Sequence, residues 1–348
     1  MTAEEIMRLA LAEAEKGRGR THPNPAVGAL VVRKGQVISR GHHEKAGLPH
    51  AEVNALRGAG ARARGADVYV TLEPCNHQGR TAPCTDSLIA ARVRRVFFGS
   101  RDPNPAVRGH GADRLRRAGI EVHGGVLREA CDASNRAWFK FITSGLPWVV
   151  LKAAVTLDGK IALRAGRPSP ISSEPSQRLV HRWRDQLDAV LLGAGTVRAD
   201  DPRLTVRGVP GGRNPLRVVL GAIPPGARLL KQPGETIAES GALPEVLARL
   251  ARRGITSVLV EGGAAVHGEF LRSGLWDELR LFIAPKIFGA GALSWAGQTG
   301  APIQGLRFES VERVGDDVLL IAAACPRRAT GPGRGPRGRG PRPRRRAP

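Results

Sequence analysis

The chain of 348 residues lacks the features that mark membrane and secreted proteins. No apolar run approaches the roughly 20 residues that cross a bilayer, so the sequence predicts no membrane-spanning segment. Its first residues show no basic region followed by an apolar stretch, so the cytoplasm is the expected location. Four cysteines are too few for a disulfide framework in a chain of this length, and the close pair Cys75 and Cys84 is typical of metal binding.

Acidic residues are scarce: 31 Asp and Glu stand against 54 Lys and Arg, which gives a formal net charge of +23. Nine arginines fall in residues 327–348, a segment with no acidic residue and almost nothing apolar to bury. We therefore expect this tail to be disordered. It is either an RNA- or membrane-binding arm or a dispensable solvated extension, and the absence of an aromatic residue that would stack on a base favours the extension.

The length and the hydrophobic pattern predict two α/β domains. One core seldom grows past roughly 250–300 residues, and strands alternate with helices on both sides of the turn-rich break at residues 144–147. We therefore expect domains at residues 1–146 and 147–326, followed by the tail at 327–348. The first sheet is expected to open with a hairpin and to be mostly parallel after it.

A zinc site is predicted by His50-Ala51-Glu52 and by the two Pro-Cys pairs that contain Cys75 and Cys84. One imidazole and two thiolates suit tetrahedral zinc and leave its fourth position open for water. Zinc would make that water a nucleophile near neutral pH, and Glu52, which is not needed as a ligand, would move the protons. His-x-Glu with downstream Pro-Cys is the signature of zinc deaminases, so we expect the hydrolytic deamination of a nitrogen heterocycle.

Two details of this region leave alternatives open. A zinc site that only supports the fold would need a fourth ligand, and His42, His43 and His77 are near enough in sequence. Eight residues separate the two cysteines where the usual deaminase spacing is two, and the longer loop carries Arg80. A loop cation at the mouth of the pocket predicts a clamp for a substrate phosphate.

Longer motifs surround these ligands and continue through the second half of the chain. They closely resemble the bifunctional deaminase–reductases of riboflavin biosynthesis, and their length makes chance matching an unsatisfactory explanation. The resemblance covers roughly residues 1–325. It is carried by residues 21–28, 41–43, 49–52, 74–84, 101–105, 152–160, 195–207 and 261–263.

This resemblance implies a cytidine-deaminase-like N-terminal domain and a dihydrofolate-reductase-like C-terminal domain. The first would use one zinc ion per chain to hydrolyse the 2-amino group of 2,5-diamino-6-(5-phosphoribosylamino)pyrimidin-4-one. The second would use NADPH, released as NADP+, to reduce the ribosyl group and give 5-amino-6-(5-phosphoribitylamino)uracil. The implied partner is thus a phosphorylated pyrimidine, with no nucleic acid and no membrane, and we expect a homo-oligomer.

The resemblance also assigns residues to the two sites. Taken singly, each has a simpler explanation as a turn former, a surface charge or a structural histidine. In the deaminase domain the implied substrate contacts are Asn24, His42, His77 and Arg80. In the reductase domain the implied NADP contacts are Ala154, Thr196, Asp200 and Gly263, and the implied substrate contacts are Lys152, Arg184, Leu204, Arg207 and Glu261.

The second half departs from the family pattern at two places. Pro168 and Pro170 stand where the family often has Ser and Trp, and Gly221-Ala222 stands where Asp-Ser is expected. These differences predict a weakened or retuned reductase. Two rival functions also remain at this level: a deaminase of RNA bases that grips its substrate with the basic tail, and a zinc-supported binding module without turnover.

Overall fold

The computed structural model describes residues 1–78, 82–104, 110–297 and 305–324. Arg80 and the tail at 327–348 lie outside the described residues. The elements of the first part are α1 (Ala3–Glu15), β1 (Gly28–Arg33), β2 (Gln36–His42), α2 (Ala51–Ala59), β3 (Asp67–Leu72), α3 (Cys84–Ala90), β4 (Arg95–Ser100), α4 (His110–Arg117), β5 (Glu121–Gly124), α5 (Arg128–Ser134) and α6 (Arg136–Ser144).

The second part continues in the same alternating manner. Its elements are β6 (Trp148–Thr156), β7 (Lys160–Ala162), α7 (Glu174–Gln186), β8 (Ala189–Gly193), α8 (Ala194–Asp200), β9 (Leu216–Leu220), β10 (Thr236–Glu239), α9 (Leu243–Arg252), β11 (Ser257–Val260), α10 (Ala264–Ser273), β12 (Glu278–Ala284), β13 (Leu293–Ser294), β14 (Leu306–Val314) and β15 (Asp317–Ala324).

The first sheet has the strand order β2-β1-β3-β4-β5. The hairpin β1–β2 and the pair β1–β3 are antiparallel, whereas β3, β4 and β5 are parallel. Alternation along β1 divides the core between two faces, because successive side chains of a strand point to opposite sides. Ala29 and Val31 pack in the cluster that contains α2, α3 and α4, while Leu30 and Val32 pack in the cluster that contains α1.

The second sheet has the order β10-β9-β8-β11-β6-β12-β15-β14. Its strands from β10 to β12 are parallel, and β15 and β14 add an antiparallel edge. Alternation separates its faces as well: Val149 and Leu151 enter one cluster and Val150 another. Adjacent parallel strands end at the same edge of a sheet, so the segments that follow β8, β11 and β6 lie next to one another. Ligands of such sheets bind in the crevice at this edge.

Local signals explain several element boundaries. Helix α1 begins at a capping box, in which the Thr2 amide donates to Glu5 at 2.8 Å and the Glu5 amide donates to Thr2 Oγ1 at 3.2 Å. Gly145, with φ +69°, ends α6 inside the predicted break. Helices α5 and α6 and strands β10 and β14 were not predicted from the sequence.

Polar contacts link residues around the first sheet to residues around the second sheet at two places. On one side Arg20 forms two hydrogen bonds to Asp185, at 2.9 and 3.0 Å, and His22 Nδ1 lies 2.9 Å from Thr256 Oγ1. On the other side helix α6 forms ion pairs with residues at the start of β12. Among the described helices, none combines the length and the apolar character needed to cross a bilayer.

Candidate active sites

The three predicted zinc ligands converge from separate elements of the first sheet. His50 is the residue before α2, Cys75 lies in the loop after β3, and Cys84 is the first residue of α3. His50 Nδ1 lies 3.1 Å from Cys84 Sγ and 3.5 Å from Cys75 Sγ. All three ligand atoms lie within 4.8 Å of one another, a spacing that one ion can bridge. The donor set of one imidazole and two thiols fits zinc.

Two of the three histidines considered as a fourth ligand, His43 and His42, have other neighbours. The two ring nitrogens of His43 lie 3.1 Å from the Pro49 carbonyl and 3.1 Å from Asn24 Nδ2. His42 Nδ1 lies 3.7 Å from Glu13 Oε2. Among the residues that the structure describes, the metal-ligating group contains only the histidine and two cysteines. This arrangement supports an open catalytic site over a closed structural one.

The electrostatics of the pocket favour a thiolate at Cys75. A hydrogen bond from Cys84 is the main cause that lowers the pKa of Cys75 to about 4, against the opposing effect of burial. The Cys84 amide at the N-terminus of α3 also donates to Cys75 Sγ at 3.3 Å, as expected where helix amides face an anion. In return, the hydrogen bond to Cys75 raises the pKa of Cys84.

Glu52 occupies the first turn of α2 and is buried, with 3% of its surface exposed. Burial, reinforced by the negative charge at Cys75, raises the pKa of Glu52 to about 7. A carboxyl group that titrates near neutrality can both take up and release a proton at the pH of the cell. The arrangement therefore has the acid–base group that hydrolytic deamination needs beside the metal ligands.

A cavity of about 420 Å³ opens over the metal ligands. Two of the predicted substrate contacts, Asn24 and His77, line it together with His50, Glu52 and Cys75. His42 faces Glu13 instead, and the predicted phosphate partner Arg80 lies outside the described residues. The lining also contains residues that sequence reasoning did not assign: His43, Glu73, Asp102, Asn104, Trp138 and Ile142.

Some of these unassigned residues had a signal in the sequence. Asp102 and Asn104 belong to one of the motifs that carry the family resemblance, and in the structure the Asn104 amide donates to Asp102 Oδ1 at 2.9 Å. Glu73 directly follows β3 and accepts from the Asp102 and Ala112 amides at 3.4 and 3.3 Å. Trp138 had no such signal, because helix α6 itself was not predicted.

The second cavity, of about 680 Å³, lies at the carboxyl ends of β6, β8 and β11. It brings together every reductase residue predicted from the resemblance except Arg207. The predicted residues in its lining are Lys152, Ala154, Arg184, Thr196, Asp200, Leu204, Glu261 and Gly263. Arg207 lines an adjoining cavity of about 370 Å³, which also contains Arg184, Asp200 and Leu204. The two cavities therefore share a wall.

Three charged side chains, each at most 16% exposed, form the centre of this second site. Arg184 pairs with Glu261, and Lys152 Nζ lies 3.9 Å from Glu261 Oε2. Burial alone would raise the pKa of Glu261, but the Arg184 charge and its hydrogen bonds outweigh burial and lower it to about 2. Burial lowers the pKa of Lys152. One anion between two cations leaves a net positive charge facing the cavity, which suits a phosphorylated ligand.

Glycines allow close approach at the wall of this cavity that holds the predicted cofactor contacts. Gly263 precedes α10, and a Cβ built on it would lie 3.0 Å from Thr196 Oγ1. A ten-residue helix that begins at a glycine presents backbone amides to a phosphate.

Two departures from the family pattern, Pro168 and Pro170, line the same cavity. A third, Gly221, follows β9 and has φ +97°. Glycine is favoured at such a φ because it has no Cβ.

Comparison with known proteins agrees with both sites. Residues 1–100 match the family model "Cytidine and deoxycytidylate deaminase zinc-binding region", and residues 147–320 match "RibD C-terminal domain". The riboflavin biosynthesis protein RibD of Aquifex aeolicus is 41% identical over 91% of this chain and 97% of the relative. The chain belongs to the RibD family. RibD of Escherichia coli is 38% identical over 92% of the chain and 99% of the relative.

Solved RibD structures have the same fold. A form of Acinetobacter baumannii RibD superposes with a TM-score of 0.88 at 34% identity and covers 93% of this chain and 99% of its own. A diaminohydroxyphosphoribosylaminopyrimidine deaminase/5-amino-6-(5-phosphoribosylamino)uracil reductase of Thermotoga maritima gives a TM-score of 0.84 at 37% identity, with 93% and 99% covered. The predicted fold class is therefore confirmed, as is the prediction of a zinc deaminase joined to an NADPH-dependent reductase.

Proposed function

We propose that this chain catalyses two consecutive steps of riboflavin biosynthesis at the two cavities described above. The first step is hydrolytic deamination of 2,5-diamino-6-(5-phosphoribosylamino)pyrimidin-4-one. The second is NADPH-dependent reduction of the ribosyl group of the product to ribityl. The observation that carries the proposal is the presence in one RibD-family chain of a complete His-Cys-Cys-Glu pocket and a Lys152–Glu261–Arg184 cluster that is largely shielded from solvent.

In the deamination step, the ring carbon that bears the 2-amino group gains an oxygen from water and loses ammonia. His50, Cys75 and Cys84 would hold zinc, which when bound supplies a Lewis acid that makes water nucleophilic at neutral pH. Glu52 takes the proton from the attacking water and delivers it to the departing amine. Asn24 and His77 hold the ring from the cavity wall, and Arg80 is proposed to bind the phosphate.

In the reduction step the first carbon of the opened ribose gains a hydride, which NADPH would supply when bound, and a proton completes the ribitylamino product. Lys152, whose Nζ lies 3.9 Å from Glu261 Oε2, would polarise the carbonyl or imine that accepts the hydride. Arg184, Arg207, Leu204 and Glu261 would hold the phosphosugar. The proposed cofactor contacts are Ala154, Thr196, Asp200 and Gly263.

One incubation tests both activities. The purified chain is given the diaminopyrimidine substrate and NADPH, and ammonia release and NADPH oxidation are followed in parallel. We expect one ammonia and one oxidised NADPH per substrate. Ammonia without NADPH oxidation would mean that the changes at Pro168, Pro170 and Gly221-Ala222 have disabled the reductase. Activity on RNA instead would support the rival deaminase of RNA bases.

We also propose that the domains are residues 1–146 and 147–326, and that the protein is a cytoplasmic homo-oligomer that does not use nucleic acid. The edge strand β14 supports association, because Phe308 and Val311 on it are 63% and 62% exposed. Large apolar side chains that are exposed on an edge strand are often covered in the native assembly. Light scattering on the eluate of a sizing column measures the subunit number directly.

A further inference from the structure

Helix α6 presents opposite faces to the two halves of the chain. Trp138 and Ile142, one helical turn apart, line the deaminase cavity. Arg136 and Lys140 are also one turn apart, and they pair with Glu278 and with Asp277 at the start of β12. Residues two positions apart lie about 200° apart around a helix, so these two pairs must face in nearly opposite directions.

Trp138 is the largest apolar side chain among the described residues that line the deaminase cavity. Among the described residues of the lining, it is the one aromatic side chain other than histidine; the remaining apolar members are aliphatic or proline. Most of the other lining groups are polar or ionisable, including Glu52, Glu73 and Asp102. A heterocyclic substrate needs a flat apolar partner as well as hydrogen bonds, and an indole ring supplies one with little loss of conformational freedom.

We propose that Trp138 is a substrate-binding residue of the deamination reaction, on which the pyrimidine ring stacks, and that Lys140 is the residue that positions it. This inference rests on the proposed function and assigns the stacking surface that the metal ligands and Glu52 do not supply. Stacking fixes the plane of the ring, and fixing that plane orients the amino-bearing carbon for attack.

A short ion pair, largely shielded from solvent, fixes helix α6 to the reductase half. Lys140 Nζ lies 2.6 Å from Asp277 Oδ2, and both side chains are less than a quarter exposed. The same carboxylate oxygen accepts the Val149 amide at 2.7 Å, so Asp277 is itself fixed to strand β6. Arg136 adds ion pairs to Glu278 at 3.1 Å and to Glu309 at 2.9 Å. The wall formed by Trp138 is thus held by residues of the reductase half.

The wall formed by Asn24 is held by the same half. His22, two residues before Asn24, lies 2.9 Å from Thr256 Oγ1 and 3.1 Å from Asp188 Oδ2. Asp188 is buried and also accepts the Thr256 amide at 2.8 Å, so this anchor too is rigid. Two walls of the deaminase cavity therefore depend on carboxylates beyond residue 147. We therefore expect a change at either anchor, far from the metal ligands, to alter substrate affinity.

The first test replaces Trp138 by Phe, Leu and Ala and measures ammonia release from the diaminopyrimidine. We expect W138A to raise KM about tenfold or more, in line with the loss of one stacked base, with zinc content kept. W138F should keep KM within about threefold, and W138L should resemble the alanine variant because it keeps bulk without a ring. Thr143→Ala, on an exposed part of the same helix, is the matched control.

The second test asks whether Lys140 positions Trp138. K140A should raise KM for deamination several-fold with kcat little changed, and K140R should restore it. The control Lys231→Ala removes an exposed lysine elsewhere, and NADPH oxidation with the deaminated intermediate shows that the reductase half remains folded.

Two results would overturn the inference. One is a W138A or W138L variant with the KM of the unaltered enzyme. The other is a K140A variant with unchanged KM, which would remove the positioning role. If the unaltered enzyme releases no ammonia from this substrate, the proposed function fails first and the inference with it.

Discussion

Arg184 and Glu261 form a bidentate ion pair inside the reductase cavity. Arg184 Nε lies 2.6 Å from Glu261 Oε1, and Nη2 lies 2.9 Å from Oε2. The pair joins helix α7 to the segment after β11, and Lys152 approaches the same carboxylate from β6. This parallel fork fixes the orientation of both side chains, so the reductase site is arranged before any ligand enters.

Glu261→Gln should therefore damage the reductase selectively. Without the negative charge, Arg184 and Lys152 face each other with no counter-ion, and the bidentate geometry is lost. Removal of one partner from a buried pair costs about 3–5 kcal/mol, an upper bound here because glutamine keeps one acceptor oxygen. We expect NADPH oxidation to fall at least 100-fold while ammonia release stays within twofold. Steady-state assays of both activities on one preparation measure this.

The control for this variant is Glu239→Gln. Glu239 accepts from Arg249 Nε at 2.8 Å in the same half of the chain, away from the cavity. The Glu239→Gln substitution should lower thermal stability without changing the KM for NADPH. Equal loss of reductase activity in both variants would show that Glu261 acts on folding alone.

Glu52→Gln should abolish ammonia release while zinc stays bound. The amide keeps the size of the side chain but cannot carry a proton, and a positioned acid–base group contributes about 100-fold to 10,000-fold. The measurement is ammonia release together with the zinc-to-protein ratio by elemental analysis. Turnover at the unaltered rate would instead support a binding module in which Glu52 only packs.

Zinc removal should silence one activity and spare the other. Cys75→Ser replaces the thiolate ligand by a hydroxyl, so we expect less than a tenth of the zinc and no measurable ammonia release, with NADPH oxidation intact. Chelation of the unaltered enzyme should do the same, reversibly on adding zinc. Cys131→Ser is the control: Cys131 is a core thiol, 1% exposed, and it is not part of the metal-ligating group. Burial raises its pKa to about 12. Zinc loss in both variants would contradict the assignment.

The chemistry of the deaminase pocket was predictable because it is encoded in short stretches. His50 and Glu52 share one helix start, and Cys84 begins the next helix, so spacing alone places the ligands near helix ends. The strands of both cores were predictable for a similar reason. Val149, Val150 and Leu151 form a continuous apolar run, as parallel strands covered on both faces do.

Helix α6 could not be predicted, because tertiary contacts create it. Its sequence is rich in aromatic and β-branched residues, which are weak helix formers. Asn135 before it makes no side-chain cap; its amide instead bonds Ala26 at 2.9 Å, more than a hundred residues away in sequence. The ion pair of Lys140 with Asp277 spans a similar distance along the chain. A single sequence carries no local signal for such partners.

Deletion of residues 327–348 should leave both activities within twofold of the full chain. The segment is very basic but has no aromatic residue, and neither cavity among the described residues requires it. Both assays and an RNA gel shift on the full and shortened chains provide the comparison. Loss of ammonia release together with loss of an RNA shift would favour the rival deaminase of RNA bases.

His267 should make stability depend on pH between 6.5 and 4. Burial is the main cause that lowers its pKa to about 4, although the Val260 and Lys152 carbonyls oppose this and Lys152 and Glu261 face it. In this window the unfolded chain binds the proton and the folded chain does not. Stability is therefore full above pH 6.5 and declines as pH falls towards 4, by about 3 kcal/mol in total.

The test of this prediction is urea unfolding of the unaltered enzyme and of His267→Gln at pH 7.5, 6, 5 and 4. Glutamine does not titrate, and its amide can still donate to the Lys152 carbonyl that lies 3.1 Å from His267 Nε2. Other groups titrate in both proteins, so the difference between the two curves isolates this imidazole. That difference should shrink as pH falls, because only the unaltered enzyme loses the His267 contribution. A constant difference across the range would mean that His267 is protonated in the folded chain, with a partner that satisfies its charge.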